Sequence, residues 1–160
     1  MKKILISLIT IVIILILDLL FFKLFPFFIR PNLALVYTVF LALFMGHIDA
    51  IIYSFLMGLF LDFIYLNFFG MNTLLFLTIG YIVGWLNKRV NETHKKIQII
   101  VLFFSSLLYF LLYTFFSFIF SLTAVKTPPL FFSNLIFTVL FGYLQIKVLI
   151  FIYSKNNLIT

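Results

Sequence analysis

The chain of 160 residues is 66% hydrophobic and 9% charged, with a mean hydropathy of +1.32. Soluble domains carry about half apolar and about a quarter charged residues, so this composition excludes one and describes an integral membrane protein. The net charge of +7 sits at the ends of apolar runs rather than along one face, which fits orientation in a bilayer and not a nucleic-acid partner.

In chain order, Lys2 and Lys3 precede a first apolar run, residues 4–24, near the roughly 20 residues that cross the hydrocarbon core. No small-residue cleavage site follows it, so an uncleaved first span is expected, with Asp18 and Lys23 toward its far end. Pro26 and the turn Arg30-Pro31-Asn32 break the helix. Residues 33–69 are too many for one span, so they fold back, and the polar group Gly46-His47-Ile48-Asp49 marks the reversal between spans 33–45 and 50–66. The first of these rises only about 20 Å and needs tilt, local thinning or a re-entrant form.

A fourth span, 71–86, contains the G-x-x-x-G pair Gly80 and Gly84, which signals close packing. The hydrophilic stretch 87–98 holds Lys88, Arg89, Lys95 and Lys96 and is therefore cytoplasmic. Span five, 99–122, places Ser106, Tyr113, Ser117 and Ser121 on one face, which should meet protein. After Lys126 and Pro128-Pro129, span six covers 130–153, with Lys147 expected to snorkel toward the inner surface. The chain is thus read as one all-α membrane domain of six transmembrane helices with both termini cytoplasmic. Were residues 33–69 a single span, the basic N-terminus and the basic loop would fall on opposite sides.

Within this frame Ala50, Ser54, Gly58 and Asp62 recur every fourth residue and share one helical face. Small residues let two helices approach closely in lipid, and an aspartate there costs roughly 3 kcal/mol if left facing acyl chains. The ridge therefore faces protein, either within the bundle or against a partner helix. Counting helical rise puts Asp18, Asp62, Asn72, Thr73 and Asn134 at similar depth under the outer surface, a possible polar cluster for a ligand or partner. Interfacial hydration and capping of neighbouring helices are the plainer alternatives, and Asp18 has Lys23 and Arg30 close by in sequence for charge pairing. His47 and Asp49 fit a polar turn, and His94 a solvated loop. The basic loop suits anionic lipid or an acidic partner, although topology already accounts for its sign.

With no cysteine, thiolate metal sites and thiol nucleophiles are absent, and no catalytic, metal-ligand or nucleotide-binding spacing occurs. Neither an enzyme nor a cofactor is expected.

Arg30-Pro31-Asn32-Leu33 after a first span, Gly58-Leu59-Phe60-Leu61-Asp62, then Gly70, then a helix ending near Gly80 and Gly84, together resemble the MreD family of rod shape-determining proteins. The resemblance implies a non-enzymatic scaffold subunit of the cell-elongation machinery in the bacterial inner membrane. Its implied partners are an MreC-type bitopic protein and, through it, actin-like MreB and peptidoglycan synthases. The implied fold is that of the substrate-binding subunits of energy-coupling-factor transporters. Spans five and six lack the acidic residues of some members. A second expectation is a vitamin-type transporter subunit binding a small ligand among Asp18, Asp62, Asn72 and Asn134. The absence of Ala and Gly from residues 4–24 counts against it, because such subunits dock their transporter through an A-x-x-x-A step in that helix.

Overall fold

Long apolar stretches interrupted by Pro, Gly and charged residues fold here into helices joined by short connections. The computed structural model describes residues 2–24, 31–65, 69–87, 94–120 and 128–156. Among the described residues there are six helices: α1 (Lys2–Leu24), α2 (Leu33–Phe44), α3 (His47–Tyr65), α4 (Met71–Asn87), α5 (Lys95–Ile119) and α6 (Pro128–Lys155). Four of them, α1, α3, α5 and α6, are long and apolar enough to cross a membrane, whereas α2 and α4 are shorter. Arg30, Leu66, Lys88, Arg89, Ser121 and Lys126 lie outside the described residues.

The arrangement is a hub and a ring. Helix α2 touches each of the other five, while α1, α3, α4 and α5 to α6 follow one another around it. The ring closes where Phe21 of α1 meets Phe141 of α6 edge-on, with centroids 6.0 Å apart. Residues Leu33 to Leu43 of α2 are all buried, so this helix is enclosed on every side. A helix apolar all round is what such a position requires. The short rise of α2 is thus accommodated by enclosure in protein, so lipid need not thin around it.

Both ends of α2 are closed by polar groups. Its N-cap Asn32 accepts the Leu35 N–H through Oδ1 at 2.9 Å and gives its own N–H to Thr138 Oγ1 at 3.1 Å. The Gln145 side-chain amide donates to the Leu33 carbonyl at 3.1 Å, and that of Asn87 to the Ala42 carbonyl at 3.0 Å. The first N–H and last C=O groups of a helix have no partner within it, and Asn32 and Asn87 supply partners for two of them here, while Gln145 adds a second bond to a first-turn carbonyl. Toward the other end of α6, Tyr37 of α2 donates to the Ser7 carbonyl at 3.2 Å and lies 2.9 Å, oxygen to oxygen, from Tyr153. Tyr153 in turn bonds the Ser7 hydroxyl at 3.3 Å. The start of α1 and the end of α6 therefore lie side by side.

Two expected boundaries move. The reversal uses only Met45 and Gly46, and His47 already opens α3 with Asp49 in its first turn. Gly46 has φ +93°, the left-handed backbone that ends a helix, and its carbonyl accepts the Ala50 N–H of the next one at 3.0 Å. The basic stretch is partly helical as well: α5 starts at Lys95, because lysine is a good helix former. Lys147 turns toward the start of α6. Its ammonium lies over the ring of Tyr143, four residues toward the N-terminus and 4.7 Å from the centroid, pointing away from the C-terminal end of α6.

Candidate functional site

The most intimate packing in the molecule is the antiparallel seam between α3 and α4, and the ridge of small residues builds it. Ala50, Ser54, Gly58 and Asp62 are all buried, and α4 covers their face. A Cβ placed on Gly58 would stand 2.5 Å from Thr73 Cα and 2.9 Å from the Asn72 carbonyl oxygen, so the two backbones touch there. One on Gly80 would collide with Ser54 Oγ, and one on Gly84 would meet His47 Nδ1 at 3.0 Å. The glycines of both helices thus face the other helix's backbone or short side chains, the geometry that small residues permit in lipid.

Asp62 sits where the C-terminal part of α3 meets the start of α4. Its Oδ1 accepts the Asn72 N–H at 2.9 Å, and its Oδ2 accepts the Thr73 N–H at 3.0 Å and the Thr73 hydroxyl at 2.5 Å. Those amides are the second and third of α4, the two that an N-cap side chain ordinarily satisfies. At the cap position itself stands Gly70, with φ +95°, whose carbonyl accepts the Leu74 N–H at 2.9 Å. Glycine has no side chain to cap with, so a carboxylate from the neighbouring helix does it, its charge opposed to the positive end of the α4 dipole. The G-L-x-x-D step and the later glycine are two halves of one joint.

Asp18 of α1 is buried and accepts the Tyr65 hydroxyl at 2.9 Å. Tyr65 lies one turn beyond Asp62, so both carboxylates are tied to the C-terminal end of α3. Asn72 joins the cluster through its backbone. Asn134 lies on α6, whose main neighbours are α5 and α2. Pro31 is buried beside Asn32 at the start of α2. On α5, Ser105, Ser106 and Ser117 are buried, and Tyr113 stacks on Tyr109 with centroids 6.2 Å apart. His47 packs edge-on against Tyr81, 5.0 Å between centroids.

Several of the bundle's polar ties do not stand out in the sequence: Ser7, Tyr37, Tyr65, Tyr153, Thr138 and Gln145. Only Gln145 leaves a trace, as an amide isolated in an apolar run. Among the described residues, no three His, Cys, Asp or Glu side chains come together to hold a metal ion.

The family model for rod shape-determining protein MreD matches residues 1–156. No curated protein and no solved structure matches the chain.

Proposed function

Because this chain belongs to the MreD family of rod shape-determining membrane proteins, we propose that it is a non-enzymatic scaffold of the cell-elongation complex in the bacterial inner membrane. In this reading it binds an MreC-type bitopic partner and, through it, acts on MreB filaments and peptidoglycan synthases. The observation that carries the reading is the α3–α4 seam. The acidic and small residues that stand out in the sequence are consumed in fixing one helix against another, as a rigid docking body requires and a ligand cavity does not. Partners then meet the outward helix faces.

We also propose that both termini are cytoplasmic. The Ser7–Tyr153 bond, which puts the basic start of α1 beside the basic end of α6, supports this. The energy-coupling-factor-like arrangement belongs to the same proposal and draws support from the family likeness and the helix number.

The test is co-purification with the MreC-type partner, and cell shape, in strains carrying Asp62→Leu or Gly58→Leu. Rounded cells and a weakened complex are expected. Rod-shaped cells with unchanged co-purification in both would end the proposal.

A further inference from the structure

Helix α6 carries a charge where a bilayer offers it no partner. Lys147 is exposed, and among the described residues its one polar or charged contact is with the face of the Tyr143 ring. It lies eight residues, about 12 Å, inside the last residue of α6, and its ammonium reaches back another turn over Tyr143, to about 18 Å. Since the core is about 30 Å thick, that ammonium stands near the middle, beyond the reach of headgroup phosphates. Around it Leu140, Leu144 and Phe151 are 59%, 59% and 68% exposed. With Lys147 they follow a 4-3-4 spacing, the seam of a helix that packs along another at a shallow angle.

We infer that this stripe seats a transmembrane helix of a partner protein bearing a carboxylate near mid-membrane, opposite Lys147. A lone ammonium in hydrocarbon is costly, and a facing carboxylate removes the cost while fixing register. A second copy of this chain does not fit. Its acidic residues are Asp18, Asp49, Asp62 and Glu92. Of these, Asp18 and Asp62 are buried and bonded internally, Asp49 lies at the start of α3, and Glu92 belongs to the basic stretch between α4 and α5. The inference rests on the proposed scaffold role for its expectation of a membrane-spanning partner, but it concerns a different surface from the α3–α4 seam.

The full chain reconstituted in phosphatidylcholine vesicles tests it, with energy transfer to synthetic leucine-rich transmembrane peptides carrying a central Asp or a central Leu. The Asp peptide should associate more tightly by roughly five- to thirtyfold, the range of polar contacts between helices in lipid. Lys147→Met should abolish the difference, and Lys147→Glu should transfer the preference to a central-Lys peptide. Both substitutions are on an outward face, and monodisperse elution at the wild-type volume verifies folding. Equal association of the Asp and Leu peptides, or an Asp preference that survives Lys147→Met, overturns the inference. So does a Lys147-dependent preference for phosphatidylglycerol without any peptide preference, which assigns the lysine to anionic lipid. Because the peptides stand in for the partner, failure here leaves the Asp62 and Gly58 tests of the scaffold role intact.

Discussion

Asp62 on α3 accepts the backbone N–H of Thr73 on α4 at 3.0 Å, and this bond makes the end of one helix depend on a side chain of another. Asp62→Leu leaves the Asn72 and Thr73 amides without a partner, and a loss of roughly 3 kcal/mol is expected. Asp62→Asn keeps one acceptor oxygen and should lose about half of that. Thermal unfolding of the purified protein in detergent checks the order: wild type, then Asn, then Leu.

Gly58 and Gly70 are required for different reasons, and alanine separates them. At Gly58 the new Cβ meets the α4 backbone, so the helices must part and the Asp62 bonds lengthen, at a cost of about 2 kcal/mol. At Gly70 nothing lies within 4 Å, and only the positive φ resists, for about 1 kcal/mol. In a double-mutant cycle, Gly58→Ala and Asp62→Asn should therefore cost less together than the sum of the single changes, whereas Gly70→Ala should not relieve Gly58→Ala.

The buried tyrosine pair offers a second cycle. Tyr37→Phe and Tyr153→Phe each remove a hydroxyl from the group shared with Ser7, at about 1 kcal/mol apiece. The two losses should couple by about the same amount, since the hydroxyls touch each other. Denaturation of the two single variants and the double variant measures the coupling, and strict additivity would contradict the geometry.

Thr138→Val is expected to destabilise by about 1 to 2 kcal/mol, because the Asn32 N–H is left without its acceptor at the enclosed start of α2. Thr138→Ser should retain most of the stability. Amide hydrogen exchange should show the first turn of α2 opening in the valine variant and protected in the serine variant.

How much of this is legible in the sequence follows from distance along the chain. The α3 ridge is readable because its residues recur every fourth position on one helix, and its need for a protein neighbour follows from the carboxylate. That the neighbour is α4 is less visible. It depends on Gly70, whose missing side chain leaves a cap to be supplied from elsewhere. The enclosure of α2 is not readable, since an apolar run of 12 residues suits a half-span, a re-entrant loop and a buried helix alike. Its ties to Thr138 and Gln145 connect residues more than a hundred positions apart, and no local period records them. The outward turn of Lys147 escapes for another reason. A side chain tilts toward the start of its own helix, and in α6 that direction carries the ammonium back over Tyr143, away from the helix's C-terminal end.

The enclosed hub also divides the chain by how freely it can change over generations. A residue of α2 such as Val36, whose methyl would lie 2.8 Å from a Cβ on Gly142, is met by protein atoms from every direction, so only replacements of matching volume fit. Outward positions such as Phe104, Phe118 and Phe151 meet no such mould, and one bulky apolar residue serves there as well as another. Drift in base composition can therefore fill the rim with phenylalanine while the axle keeps its shape.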